Sequence, residues 1–160
     1  MTTNVGQGGS AATETRSSGL GPAAVGRLLA AHFPEVREDI GDVEIRHCGD
    51  GRADVRLVYE ARFRRPGGTI SGPTMFKLAD LACYVAILGV LGEAGIDAVT
   101  TTMTINFLAR PLPEDLVCQV EILRKGRRQV ACEARIFSGA AEKLVAQASC
   151  IYALPATPHS

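Results

Sequence analysis

The chain has 160 residues and no net formal charge, 17 basic side chains balancing 17 acidic ones. That excludes a global field able to gather nucleic acid or an anionic membrane. The length is that of one domain with a substantial core. Five cysteines (Cys48, Cys83, Cys118, Cys132, Cys150) are an odd number, far apart and in apolar contexts. They predict reduced thiols in a cytoplasmic protein, and no Cys/His spacing predicts zinc or another metal.

Residues 1–20, rich in Gly, Ser, Thr and Ala without periodicity, predict a disordered tail. The stretch has neither the basic nor the apolar region of a secretory signal. A single domain is expected over residues 21–154, and a short tail over 155–160. Pro22 opens an amphipathic helix in which Val25, Leu28, Leu29 and Phe33 share one face, ending before Pro34. From Asp42 the period becomes two. Val43 and Ile45 alternate with Glu44 and Arg46, and Asp50-Gly51 supplies a hairpin turn. The second strand is expected to run from Ala53 to Phe63, with Ala53, Val55, Leu57, Tyr59, Ala61 and Phe63 on its apolar face.

After the loop Arg64–Ser71, Gly72-Pro73 has the form of a helix start, proline standing where a missing N–H costs nothing. Residues 73 to about 92 are apolar on almost every face, as in a helix enclosed by protein. The uninterrupted apolar run, Leu81–Gly92, is shorter than the ~20 residues a bilayer needs, so a soluble protein is expected. Strands follow: Val99–Leu108, Leu116–Arg124, Val130–Phe137 and Leu144–Leu154, separated by turns at Arg110–Asp115, Lys125-Gly126 and Ser138-Gly139. The β-branched density supports them. These four are expected to form a meander. No βαβ alternation is present, so the fold class is α+β: an antiparallel sheet curled around one apolar helix, its open edges covered by a second copy.

Asp80 is a lone carboxylate on that helix, two turns from its start. One reading makes it a structural acid paired with Lys77, Arg65 or a backbone donor; the other makes it a catalytic group. Among apolar neighbours its pKa is expected to rise by desolvation.

Two fragments carry a resemblance. The pattern G-G-x-x-S-G-P-x-x-x-x-L-A-D-x-A, here Gly67–Ala82, and a strand ending N-F-L-x-R-P, here Asn106–Pro111, resemble the hotdog-fold acyl-CoA thioesterases, in their phenylacetate-pathway (PaaI-like) branch. The resemblance spans about residues 40–154. It implies a hotdog fold, a homodimer or dimer of dimers, and active sites across the dimer interface. It also implies an acyl- or aryl-CoA thioester as substrate, hydrolysed to free acid and CoA without a metal or redox cofactor. By the same resemblance Asp80 is the general base or nucleophile and the Gly72 backbone N–H the oxyanion donor. The chemistry is consistent, since an open helix N-terminus offers donors and a positive dipole end.

The chain departs from the branch at two positions: Ser71 stands where a histidine is common, and Arg65 where an asparagine or glutamine is. Ser71 can cap the helix or bond the thioester; Arg65 can hold a carboxylate, a water or a CoA phosphate. Tyr84, one turn beyond Asp80, either lines the site or fills the core. Thr101 and Asn106, on the strand after the helix, are candidates for substrate contact. Arg127, within the basic turn Arg124–Arg128, is a candidate for CoA phosphate. The competing function is a non-catalytic acyl-CoA-binding module on the same fold.

Overall fold

The computed structural model describes residues 19–140 and 142–156. The predicted N-terminal tail lies outside the described residues except for Gly19 and Leu20, and so does the last part of the predicted C-terminal tail. Leu20 is held in place: its N–H donates to the Gly89 carbonyl at 2.7 Å, and its own carbonyl accepts from Cys48 Sγ at 3.3 Å.

Helix α1 (Pro22–His32) starts with proline in its first turn and buries Val25 and Leu29; a single turn, α2 (Val36–Asp39), follows. Strands β1 (Val43–Gly49) and β2 (Arg52–Leu57) form a hairpin through Asp50 and Gly51, with φ of 51° and 74°. Two successive left-handed residues match the twist of the flanking strands, as the Asp-Gly pair predicts. Helix α3 (Gly72–Leu91) is succeeded by a 3-10 turn, Gly92–Gly95. Four strands follow: β3 (Val99–Phe107), β4 (Leu116–Lys125), β5 (Gln129–Ser138) and β6 (Lys143–Ala153).

All pairings are antiparallel, in the order β1-β2-β4-β5-β6-β3. The sheet wraps α3, the hotdog architecture. Period two places Val55 and Leu57, Leu116 and Cys118, Val130 to Ile136 in alternation, and Ala146, Ala148, Cys150 and Tyr152 toward the helix, all buried. They meet Leu78, Val85, Ile87 and Leu88 of α3. Each large side chain so enclosed contributes about 1.5–3 kcal/mol. Ala79, Ala82 and Ala86, all fully buried, let the helix sit close to the strands. The segment Gly72–Gly95 is long and apolar enough to cross a bilayer, with mean hydropathy 1.7, but here its apolar surface lies against the sheet.

Two strand expectations are corrected. β2 stops at Leu57 instead of running to Phe63. Beyond it, Val58 N–H goes to the Asp42 carbonyl and Tyr59 N–H to the Asp115 carboxylate at 2.7 Å, and Ala61–Phe63 turns as a 3-10 helix. A side-chain acceptor has replaced the ladder partner, so period two persists in the sequence where the strand does not. The final four strands are also not one meander. β4, β5 and β6 are, but β3 pairs with β6 at the far edge of the sheet. The chain then returns to β4 along Leu108–Asp115, past the β5–β6 hairpin, where Leu112 N–H donates to Ser138 Oγ and Gly139 N–H to the Asp115 carbonyl.

Candidate active site

Beside Pro73 and Lys77, which lie toward α2 and its flank, one stripe of α3 escapes the sheet. Gly72, Phe76, Asp80 and Tyr84, four residues apart, are half-buried or exposed, whereas Leu78, Ala79, Leu81, Ala82 and Cys83 are buried. The i, i+4, i+8 spacing puts these residues on one face.

At the start of that stripe the first turn is almost fully committed. Ser71 is the N-cap, its Oγ accepting from Thr74 N–H at 3.3 Å and lying 2.8 Å from Thr74 Oγ1. Pro73 has no N–H, and Met75 N–H donates to the Ser71 carbonyl. Among the described residues only the Gly72 N–H of this turn lacks an acceptor. The sequence S-G-P-T thus leaves one backbone donor free at the positive end of a 20-residue helix. Beside it stands the ring of Phe107: a Cβ on residue 72 would lie 3.2 Å from Phe107 Cζ.

Two turns on, Asp80 is half-buried rather than enclosed in apolar side chains, which corrects its expected surroundings. Its Oδ1 accepts from Thr100 Oγ1 at 2.6 Å and from the Tyr152 hydroxyl at 2.5 Å, and the same hydroxyl lies 2.6 Å from the Asp80 carbonyl oxygen. Tyr152 is 2 % exposed. Burial, then the nearby Asp80 charge, pushes its phenol far above the usual range, so it stays protonated and donates.

Thr100 reaches Asp80 because of an irregularity. In β3 the register slips between Thr100 and Thr102, Thr100 pairing with Tyr152 and Thr102 with Ile151. Thr101 is the extra residue; its hydroxyl turns back to the Ile151 carbonyl at 3.1 Å. Strict alternation groups Thr101 with Met103 and Ile105, and the bulge hands the inward position to Thr100 instead. Neither Thr100 nor Tyr152 is among the site candidates that the sequence singles out. The signal available for Tyr152 is its inward phase on β6.

The thioesterase-superfamily description matches residues 67–145, from the glycine turn before α3 into β6. A protein of Saccharolobus solfataricus, provisionally designated an esterase, is 32% identical over 107 residues, covering 67% of this chain and 74% of the relative. The chain belongs to the thioesterase superfamily. A structure from a Silicibacter species, provisionally designated a thioesterase, has TM-score 0.74 at 32% identity, covering 84% of this chain and 92% of that one. A Streptococcus pneumoniae protein described as a thioesterase, determined with coenzyme A, shares the fold with TM-score 0.71 at 18% identity, over 82% of this chain and 99% of that one.

Within this superfamily fold the remaining candidates are dispersed. Tyr84 donates its hydroxyl to the Ile96 carbonyl at 2.7 Å, tying α3 to the turn behind it. Arg65 lies in the small hairpin before α3, where its N–H bonds the Thr69 carbonyl, and is exposed. Asn106 is exposed and gives its amide to Gln147 Oε1 at 3.0 Å, across the β3–β6 ladder. Arg127 is exposed in the β4–β5 turn, and among the described residues neither it nor Arg124, Lys125 or Arg128 makes an ion pair. Arg124 and Arg128 flank an open groove floored by Ala131, Ile151 and Ala153. The five cysteines are all free and buried. Among the described residues no group of His, Cys, Asp and Glu has the arrangement of a metal site.

Proposed function

We propose that the protein is a thioesterase of the PaaI-like branch, hydrolysing an acyl- or aryl-CoA thioester to the free acid and CoA. Asp80 acts as general base on water or as nucleophile, and the Gly72 N–H holds the developing oxyanion. In the general-base form, Asp80 takes a proton from water as its oxygen attacks the carbonyl carbon. The tetrahedral intermediate then expels CoA thiolate, which is protonated on leaving. The reading calls on no metal or redox cofactor. The free thiols support the expectation of a reducing, cytoplasmic setting.

The observation that carries this reading is the placing of a free donor and a clamped acid on one uncovered helix stripe. Their spacing adds a condition. Eight residues at 1.5 Å each separate Gly72 from Asp80 by about 12 Å along α3. A hydrogen bond on a carbonyl oxygen, with attack on its carbon directly or through one water, spans less than that. The two groups therefore serve one thioester only if they come from two copies.

Strand β3 supports such an assembly. It is an edge strand without a charged residue, and Val99 and Phe107 at its ends are 59% and 53% exposed. A two-fold axis through its middle, near Met103, sets the Phe107–Gly72 end of one copy against the Thr100–Asp80 end of the other. The result is a homodimer with two shared sites, and dimers of dimers build on it. Arg65 and the Arg124–Arg128 turn, Arg127 included, remain the candidates for contact with the CoA part; Ser71, Tyr84, Thr101 and Asn106 have their polar groups engaged within the chain.

Steady-state assays with phenylacetyl-CoA, benzoyl-CoA and a series of straight-chain acyl-CoAs test the proposal. Asp80→Asn is expected to lower kcat at least about 1,000-fold, ~4 kcal/mol of transition-state stabilisation. Full hydrolysis by that variant, or tight CoA-ester binding without turnover by the parent protein, overturns it. The second outcome establishes the binding-module reading.

A further inference from the structure

We propose that Tyr152 is a positioning residue that fixes which oxygen of Asp80 does the chemistry. The inference rests on the thioesterase reading and adds a residue that reading does not use.

Thr100 and Tyr152 are register partners across β3 and β6, and both hydroxyls converge on Oδ1 of Asp80. Among the described residues nothing donates to Oδ2. The Tyr152 hydroxyl also contacts the Asp80 backbone carbonyl at 2.6 Å, so it registers the side chain against its own main chain. A carboxylate is otherwise free to turn about its last torsion, which is broad and two-fold. Two hydroxyls on one oxygen, one from a fully buried ring, stop that turning. Oδ2 is left as the atom that accepts the proton from water or attacks the thioester.

The clamp is built by the sheet rather than by the helix. The bulge that turns Thr100 inward and the phase that turns Tyr152 inward deliver both donors to one point. A catalytic carboxylate misplaced by a fraction of an ångström loses rate while binding the substrate as before. A buried tyrosine also needs a partner for its hydroxyl simply to be stable, so loss of folding stability alone does not support a positioning role.

The decisive experiment is Tyr152→Phe, measured beside Thr100→Val, Asp80→Asn and the double variant Tyr152→Phe/Asp80→Asn, with the CoA ester the parent turns over fastest. Folding is monitored by thermal unfolding. For Tyr152→Phe we expect kcat to fall about 10–100-fold with KM within about twofold of the parent. In the Asp80→Asn background the same change is expected to have no further effect on the residual rate, because the clamp then has no carboxylate to hold. Thr100→Val is expected to give a smaller loss of the same kind and keeps the test open if the phenylalanine variant folds poorly. A folded Tyr152→Phe with parental kcat overturns the inference, as does an equal loss in both backgrounds. Loss of activity in Asp80→Asn beside parental kcat in Tyr152→Phe removes only the clamp. Parental activity in Asp80→Asn, or no turnover of any ester by the parent, removes the thioesterase reading and the clamp with it.

Discussion

At one edge of the sheet, β1 carries Glu44, Arg46 and His47, bends at a bulge between Ile45 and His47, and lies beneath α1. Arg56 on the neighbouring strand bonds Glu44 at 3.1 Å and Asp115 at 2.9 Å through Nε, stitching this side of the molecule to itself. At the other edge β3 has nine residues, Val99–Phe107, with no charge among them, and the exposed apolar residues Val99, Phe107 and Leu108 at or just beyond its ends. Charge, a bulge and a covering element are the usual means of keeping a strand edge from pairing. Both edges have a bulge, but among the described residues only β1 has the charges and the cover. The bulge in β3 aims Thr100 at Asp80. The difference teaches that one edge is closed within the chain, while the edge beside the acid is left open, as the proposed pairing with a second copy requires.

The strongest way to break this contrast is to charge the open edge. Phe107→Lys places an ammonium where the proposed two-fold pairing requires an apolar ring. The dimer dissociation constant is expected to rise at least about 30-fold, ~2 kcal/mol, and hydrolysis per chain should then depend steeply on protein concentration. Sedimentation and activity measured across the same dilution series check both. A variant that stays dimeric and active shows that β3 is not the shared edge.

A smaller change sharpens the same point at the helix start. Gly72 has ordinary helical geometry, so alanine fits the backbone, but its Cβ would stand 3.2 Å from Phe107 Cζ and the ring has to yield by a few tenths of an ångström. Gly72→Ala keeps the N–H, moves the ring and crowds the approach to that donor. We expect kcat/KM to fall about tenfold, ~1.4 kcal/mol, with little change in melting temperature, since alanine is the better helix former. An unchanged kcat/KM counts against any ligand at that backbone position.

The contrast also marks how far the sequence can be read. The span of α3 is legible from its cap, its proline and its apolar run, and the β1–β2 turn from Asp50-Gly51, because these signals act over a few neighbouring residues. The end of β2 is not legible. Tyr59 and Phe63 keep strand periodicity, and the acceptor that diverts the chain, Asp115, lies 56 residues beyond Tyr59. The place of β3 beside β6 is equally non-local. For the site, Asp80 and Gly72 stand out through helix chemistry and family resemblance. Tyr152, 72 residues beyond Asp80, looks like one more inward strand residue until the sheet closes. Thr100 depends on a single extra residue in a ladder, which shifts the inward phase by one and which alternation cannot announce.

The smallest expected effect belongs to the closed side. Asp115 is held below the usual carboxylate range chiefly by the backbone N–H of Tyr59, with the Arg56 guanidinium acting in the same direction and burial opposing both. A carboxylate depressed in the folded state stabilises the fold above its unfolded value of about 3.9. That contribution is lost as the pH falls through the lower folded value. Asp115→Asn is therefore expected to cost about 1 kcal/mol at pH 7, read from the urea midpoint. The difference from the parent should shrink once the pH is taken below about 4. A difference that persists undiminished into acid would mean that the hydrogen-bond shape of Asp115, and not its charge, closes this side. Because Arg56, Glu44 and Asp115 belong to one chain, the effect should be the same in dimer and dissociated chain at any protein concentration, whereas that of Phe107→Lys should vary with it.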